Sequence, residues 1–339
     1  MMKRLLFLLL ALPMTSVWGQ DVQYSQFYAN PLYLNPAFVG STGLTRLGVN
    51  FRSQWPSLDQ SFIAYTAYAD HFVEKYNSGI GMSVSGARES YTQSQVHEIG
   101  LLYSYRLRLG ERRFLHAGFQ GSFVARDALF DQVVLGTQLD IDRGVILGSP
   151  GDGFEGDSRL RDVDLHTGLL YYDDKFWFGI SAFHLLGPEI SYLEMDGNKL
   201  PIKYSLQGGV KLDMAPGDIN DYFNNTDQER SLSFAFNYKK QGQFSQLDIG
   251  TEFYFEPLVL GIWYRGLPTK YSLPNNESII SLIGVRLDNR MEFGYSFDFS
   301  ISKLGQKYSG GAHEISIRYV FSSKDPSKKY YPELPTFRY

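Results

Sequence analysis

The stretch RMEFGYSFDFSI, residues 290–301, alternates apolar and polar side chains without a break. The apolar positions are Met291, Phe293, Tyr295, Phe297 and Phe299. The polar or small positions are Glu292, Gly294, Ser296 and Asp298. Because successive side chains of a strand point to opposite faces, this period of two predicts a long β-strand with one apolar and one polar face.

The same alternation recurs along the chain, in TRLGVNFR (45–52), HEIGLLYSYRLR (97–108), FLHAGFQGSF (114–123) and HEISIRYVF (313–321). Candidate strands begin near residues 45, 61, 76, 95, 112, 160, 175, 203, 231, 246, 258, 278, 290 and 313. These starts give fourteen strands, an even number, and many are long enough for a tilted strand to span a bilayer. The pattern therefore predicts an all-β fold, a transmembrane antiparallel β-barrel of about fourteen strands, rather than a soluble sandwich.

Loop lengths support this topology. Long connections fall after odd-numbered strands, at residues 128–160, 187–202, 265–278 and 302–313, whereas most connections after even-numbered strands are tight turns. Outer-membrane barrels have long loops outside and short turns in the periplasm. The long connection near residues 214–230 is an exception: either the strand count slips there or that turn makes a contact.

Composition narrows the class of protein further. The chain has 339 residues, a net charge of −4, 24 Tyr, 25 Phe, 33 Gly and no cysteine. The charge balance gives no basic nucleic-acid footprint, so we expect no nucleic-acid partner. The missing cysteine excludes disulfides, thiolate metal sites and a cysteine-linked lipid anchor.

The chain divides into four segments. Residues 1–19 predict a Sec signal peptide, with Lys3 and Arg4 before an apolar run from Leu5 to Met14. Residues 20–44 form a turn-rich N-terminal plug segment, residues 45–321 the barrel in the outer-membrane lipid, and residues 322–339 a Pro- and Lys-containing periplasmic tail. A disordered tail without function is the competing interpretation of the last segment.

No catalytic constellation is recognisable, so we expect neither enzymatic activity nor a cofactor. The histidines are scattered. His116 and His166 fall on polar strand faces, so a pair in the lumen is one interpretation, but hydrogen bonding there is the simpler role. A weak calcium candidate lies in the loop GSPGDGFEGDSRLRDVD (148–164), at Asp152, Glu155 and Asp157. Their spacing does not match an EF-hand, and a solvated acidic loop explains them equally simply.

Charged residues also occupy the predicted polar faces, which would line the lumen. They are Arg106, Asp248, Glu252, Arg286, Glu292, Asp298 and Arg318. Mixed signs favour an ion-pair network filling the bore over a selective pore, since strongly selective channels carry rings of one sign.

The most distinctive stretch is QYSQFYANPLYLNPAFVGSTG, residues 23–43, with two Asn-Pro steps five residues apart. Because residues before proline avoid helical conformations and Asn-Pro favours turns, this cannot be an ordinary lipid-facing strand. Aromatic and leucine side chains lie between the two steps. We expect a compact segment inside or beneath the barrel, whose role could be purely structural.

This stretch resembles the opening motif of the PorP/SprF family of type IX secretion proteins. The matching signature positions are Tyr24, Ser25, Gln26, Asn30, Pro31, Leu32, Tyr33, Asn35, Pro36, Phe38 and Gly40. Val22 departs from the family pattern, where proline is usual. The resemblance implies an outer-membrane component of the type IX secretion system of Bacteroidota. Its implied partners are secretion components, a large secreted adhesin or its type B C-terminal domain, and periplasmic peptidoglycan-linked proteins.

The short LNPAF also resembles the hatch of FadL-type barrels, which leaves a transporter of hydrophobic small molecules as the alternative. A continuous apolar path through the lumen would favour that alternative, and the charges on the polar faces oppose it. For a docking protein, plausible partner-binding anchors are the loop residues Tyr192, Tyr271 and Tyr308, since Tyr is enriched at interfaces. Chance exposure of these tyrosines is an equal alternative.

Overall fold

The structure is a computed structural model. This structure describes residues 21–128, 139–140, 143–146, 148, 158–192, 198–214, 230–267, 276–287, 290–302 and 305–321. The acidic loop residues Asp152, Glu155 and Asp157, the anchor Tyr271, the signal peptide and the C-terminal tail lie outside the described residues.

Fourteen antiparallel strands form one closed barrel. They are β1 (Thr45–Gln54), β2 (Phe62–Val73), β3 (Ser78–Glu89), β4 (Gln95–Arg108), β5 (Phe114–Asp127), β6 (Arg159–Tyr172), β7 (Phe176–Phe183), β8 (Lys203–Asp213), β9 (Arg230–Gln241), β10 (Phe244–Phe255), β11 (Leu258–Gly266), β12 (Asn276–Leu287), β13 (Met291–Ser300) and β14 (Ala312–Phe321). The first and last strands pair from Thr45↔Phe321 to Gln54↔Ala312, which closes the ring. The predicted barrel and its strand count are confirmed.

Every predicted strand start lies within two residues of an observed one. The count therefore does not slip near residue 214, where the connection from β8 to β9 joins two ordinary neighbours in the ring. We call the end of the barrel that carries the connections after odd-numbered strands the loop end, and the opposite end the turn end. A short ribbon, Leu139–Asp140 paired with Val145–Ile146, lies in the connection between β5 and β6.

The exterior of the barrel is apolar because the alternation points one side chain in two outward. On β4, Leu101 is 69% exposed, whereas its neighbours Leu102 and Ser104 are buried. Large exposed apolar side chains occur on the outer faces all around the ring, such as Phe51, Phe119, Ile180, Ile262 and Ile317. Soluble proteins rarely expose apolar patches of more than a few hundred Å², so this belt matches a lipid environment.

Short helical pieces complete the described chain: α1 (Pro31–Leu34), α2 (Gln306–Ser309) and two 3₁₀ turns, Pro36–Phe38 and Glu74–Tyr76. No helix within the described ranges is both long and apolar enough to cross a bilayer.

The wall is uneven next to β7. Strand β5 pairs with β6 over Arg159–Tyr172, but β7 pairs with β6 over Thr167–Tyr172. Toward the loop end, β6 therefore extends past the end of β7. The amide hydrogens of Val163 and Leu165 in this extension are accepted by the carboxylates of Asp162 and Asp164, at 2.7 and 2.8 Å.

Candidate functional site in the barrel lumen

Residues 21–44, which we call the N-terminal segment, lie inside the barrel. The side-chain amide of Asn35 donates to the carbonyls of Leu169 and Ile180 on β6 and β7, at 3.1 and 3.0 Å. At the other side of the ring, the backbone amides of Ser25 and Gln26 donate to Glu314 of β14, at 2.6 and 3.1 Å. Because β6 and β7 lie across the ring from β14, a segment that hydrogen-bonds to both from inside must cross the bore.

The two Asn-Pro steps give the segment its shape. Each proline begins a short helical turn, where its missing amide hydrogen costs nothing and its fixed φ suits the helix. Asn35 caps the second turn, because its Oδ1 accepts from the backbone amide of Ala37 at 2.9 Å. The same side chain thus holds the turn and, through its amide nitrogen, the wall.

Wall glycines let the segment approach the strands. A Cβ added to Gly118 on β5 would lie 2.5 Å from the Cα of Ala37, and one on Gly168 of β6 would lie 2.7 Å from the Cγ of Asn35. Real Cβ atoms essentially never come closer than 3.0 Å to such atoms. The N-terminal segment therefore contacts the strand backbone directly at these two positions, because glycine has no side chain to keep it away.

A network of buried ion pairs joins strands of the wall near β14, and Ser25 of the segment hydrogen-bonds to it. Arg52 lies 2.8 Å from Asp298 and 3.3 Å from Glu314, and Arg265 lies 3.3 Å from Asp298 and 2.8 Å from Asp248. The hydroxyl of Ser25 donates to Asp298 and accepts from Arg52. In a low-dielectric interior such a network is stable only when each charge has partners.

The structure distributes the predicted lumen charges among different partners. Asp248 and Asp298 belong to the Arg52–Arg265 network, and Glu292 pairs with Arg318 and, at 3.9 Å, with Arg286. The guanidinium of Arg106 stacks on the ring of Phe72, 3.7 Å from its centroid, near the turn end. Glu252 accepts a hydrogen bond from the indole of Trp263 at 3.2 Å.

Several important charges were not selected from the sequence. Arg52, Arg265 and Glu314 complete the network described above, and Arg46 pairs with Asp70 at 2.9 Å. All lie on inward faces of alternating strands, so the period of two could have marked them as lumen residues. Their pairing could not be read, because the partners are far apart in sequence.

A cavity of about 820 Å³ lies between the N-terminal segment and the loop end. Its lining includes Tyr24 and Tyr33 of the segment and Trp55, Phe62, Arg88 and Phe183 near the loop end of the wall. We call this cavity the vestibule. Its lining mixes aromatic, aliphatic and charged side chains, so it differs from a uniformly apolar path.

A buried chain of acids and histidines lies beside the vestibule. His184 directly follows β7 with a left-handed φ of 62°, and its ring bridges Asp164 at 2.6 Å and Asp21 at 2.8 Å. Lys203 also contacts Asp21. Burial opposes the charged imidazolium, but the charge of Asp21 and the hydrogen bond to Asp164 raise the pKa of His184 to about 9. Burial likewise opposes the ionised Asp21, yet His184 and Lys203 hold its pKa well below the usual value.

His166 joins this chain rather than pairing with His116. Its Nε2 lies 2.9 Å from Glu98, whereas His116 contacts the hydroxyl of Tyr172 at 3.2 Å. In the register of β5 and β6, His166 faces Gln120, four positions from His116. Four residues of strand span about 13 Å, so the two rings lie apart. Asp164 and His166, two residues apart, share a face of β6; this was the available signal for the cluster.

Two of the proposed aromatic anchors can be located. Tyr308 is 68% exposed in α2 at the loop end, and Tyr192 is half-buried in the connection between β7 and β8.

A closed antiparallel barrel of fourteen strands, with an apolar exterior and charges inside, defines an outer-membrane β-barrel. The model of the family "Type IX secretion system membrane protein PorP/SprF" matches residues 16–319. The chain therefore belongs to the PorP/SprF family and is an outer-membrane component of the type IX secretion system.

Solved structures that match the chain include the Pseudomonas putida toluene transporter TodX, 10% identical with a TM-score of 0.48, covering 85% of this chain and 93% of that chain. A Pseudomonas aeruginosa FadL homologue is 13% identical with a TM-score of 0.41, covering 85% and 93%. The KdgM porin is 9% identical with a TM-score of 0.36, covering 82% and 99%. No curated protein matches the sequence significantly.

Proposed function

We propose that this barrel docks or anchors secreted surface proteins at the cell surface, with the vestibule as the binding site. The observation that carries the proposal is the arrangement of the lumen: the N-terminal segment crosses the bore, and a cavity of about 820 Å³ remains on its loop-end side. A cavity of this size with aromatic and charged side chains suits an extended peptide segment of a client protein. The loop end is then the extracellular end.

In this proposal the N-terminal segment is a plug. Its bonds to Glu314, Leu169 and Ile180 tie it to opposite walls, and its Asp21 pairs with the buried His184 and Lys203. The intact barrel should therefore conduct few ions across a planar bilayer. Deletion of residues 21–40 should raise the conductance at least tenfold. Heat-modifiable mobility on gels shows whether the shortened barrel has folded. Equal, high conductance of both proteins would contradict the plug.

The proposed client is a large secreted adhesin carrying a type B C-terminal domain, as membership of the family suggests. Secretion-system components linked to peptidoglycan would then approach the turn end, where the even-strand turns and the tail that follows β14 would be available. Aromatic loop residues such as Tyr308 would extend the vestibule surface.

Site-specific photocrosslinking in cells tests the docking site. A photoreactive residue at Ala87, an inward-facing residue of β3 that lines the vestibule, should capture one or a few large surface proteins. The matched control is Lys75, an exposed residue in the turn-end connection between β2 and β3. Capture of the same surface protein at both positions, or at Lys75 alone, would contradict docking at the vestibule. Loss of that protein from the surface of a gene-deletion strain is the second expected result.

The alternative function is transport of hydrophobic small molecules, and one observation favours it. Part of the vestibule lining is apolar, including Leu32, Phe62, Val124 and Phe183. A transporter would bind a fatty acid or detergent there and release it past the N-terminal segment. Uptake of a hydrophobic tracer that is lost on deletion of the gene, with an unchanged surface proteome, would favour transport over docking.

A further inference from the structure

The cluster beside the vestibule has the arrangement of a metal site. Asp164, His166 and His184 are all buried, and one ligand atom from each lies within 4.8 Å of the other two. Asp164 Oδ2 lies 2.6 Å from His184 Nδ1 and 3.9 Å from His166 Nδ1. The two imidazoles therefore present the same ring nitrogen to one carboxylate oxygen.

The other nitrogen of each ring is held by a second carboxylate. His184 Nε2 lies 2.8 Å from Asp21, and His166 Nε2 lies 2.9 Å from Glu98. Histidines that bind metals commonly donate their second N–H to a carboxylate, which fixes the ring and makes the ligating nitrogen more basic. Asp21 and Glu98, which are not among the three proposed ligands, thus orient both rings so that each Nδ1 faces Asp164.

The carboxylate of Asp164 is oriented in the same way. Its Oδ1 accepts from the backbone amide of Leu165 at 2.8 Å, which leaves Oδ2 toward the two rings. A donor set of two imidazoles and one carboxylate suits Zn²⁺ and related divalent transition metals, with further positions open to water or a client group. Hard-cation sites for Ca²⁺ instead use oxygen ligands alone.

We propose that Asp164, His166 and His184 bind a divalent transition metal ion, with Zn²⁺ as the reference ion. Ligand atoms about 2.0–2.2 Å from Zn²⁺ at tetrahedral angles are separated by about 3.3–3.6 Å. The two separations from Asp164, 2.6 and 3.9 Å, fall on either side of that range, and the two histidine nitrogens lie within 4.8 Å of each other. Shifts on the order of 1 Å would bring the three ligand atoms to zinc-binding separations. Two changes accompany binding: the backbone amide of His184 gives up its bond to His166 Nδ1, now 3.1 Å long, and His184 releases to solvent the proton between its Nδ1 and Asp164.

The position of the site gives the ion a structural consequence. Asp164 and His166 lie on the part of β6 that extends past the paired region of β7, while His184 follows β7. The ion would link these two parts of the wall beyond the last paired residues, where the amide of Leu185 donates to the carbonyl of Leu165 at 3.0 Å. Through the contact of His184 with Asp21, it would also hold the start of the N-terminal segment.

Isothermal titration with ZnCl₂ tests the site. The full-length mature barrel is purified in detergent without a polyhistidine tag and treated with a chelator that is then removed. We expect one Zn²⁺ per chain and a shift of histidine Nδ1 signals in ¹⁵N NMR spectra. The single variants D164N, H166Q and H184Q should each bind at least tenfold more weakly. His97 is half-buried on the outer face of β4, and its variant H97Q should bind like the parent.

Heat-modifiable gel mobility shows whether each variant has folded. If one ligand variant does not fold, the other two decide the outcome. Unchanged affinity in folded H166Q and H184Q would overturn the proposal, as would an equal loss in H97Q. Absence of stoichiometric binding to the folded parent would overturn it as well. None of these readouts depends on a client protein, so failure of the metal site leaves the docking proposal separately testable.

Discussion

The contact between the N-terminal segment and β5 gives a direct test of the lumen. Gly118 faces the segment, whereas Gly121 on the same strand faces outward and an added Cβ there would meet nothing within 4 Å. The variant G118A places a methyl group 2.5 Å from the Cα of Ala37. The backbone nitrogen of Ala37 and the carbonyl carbon of Pro36 would lie nearer still, so segment or wall must move by more than about 0.5 Å to restore 3.0 Å.

That movement involves backbone, so it cannot be absorbed by rotating a side chain. Overpacking of this kind costs about 1–3 kcal/mol. Replacing glycine by alanine gains about 0.4–1 kcal/mol by restricting the unfolded chain. We therefore expect G118A to lower the free energy of unfolding by about 1–2 kcal/mol. The control G121A should leave it unchanged or raise it by up to about 1 kcal/mol.

Urea unfolding of both variants in the same detergent, followed by tryptophan fluorescence, measures this difference. Trp177 reports on the segment, because its ring centroid lies 5.6 Å from that of Phe38. Limited proteolysis should also cut the N-terminal segment faster in G118A than in G121A. Equal stability and equal proteolysis of the two variants would show that the segment does not pack against this wall.

Three further predictions concern the buried polar contacts. The variant D298A leaves two arginines without their shared carboxylate and should cost about 3–5 kcal/mol in urea unfolding, against at most about 1 kcal/mol for the exposed pair removed by D174A. A similar loss in both would contradict the buried network. The variant N35A removes two bonds to the wall and a cap, so unfolding should become easier by about 1–3 kcal/mol, and the segment should be digested faster. With chelator present, protonated His184 stabilises the fold through its contacts with Asp21 and Asp164. Because these contacts raise its pKa to about 9, the stabilisation is complete below pH 6.5 and is lost as pH rises through 9. The melting temperature of the parent should therefore fall over that range more than that of H184Q, and parallel curves would contradict it.

The alternation of residues determined most of the barrel. Whether a side chain faces lipid or lumen depends on its position in its own strand, as at Leu101 and Leu102, so a local pattern carries that information. Strand boundaries followed for the same reason. The two Asn-Pro steps also act locally, since proline restricts itself and its predecessor, and they correctly set residues 31–38 apart from the strands.

Long-range pairing was decided only by the tertiary structure. Ser25 and Asp298 are separated by 273 positions, and Asp21 and His184 by 163, so no local pattern relates them. Sequence showed Asp248 and Asp298 as lumen charges but not that Arg52 and Arg265 join them. It likewise left Asp164, His166 and His184 as isolated residues, because their proximity depends on where β7 ends beside β6. Alternation fixes which side of the wall a residue faces; closure of the ring and the path of the N-terminal segment decide which residues meet inside.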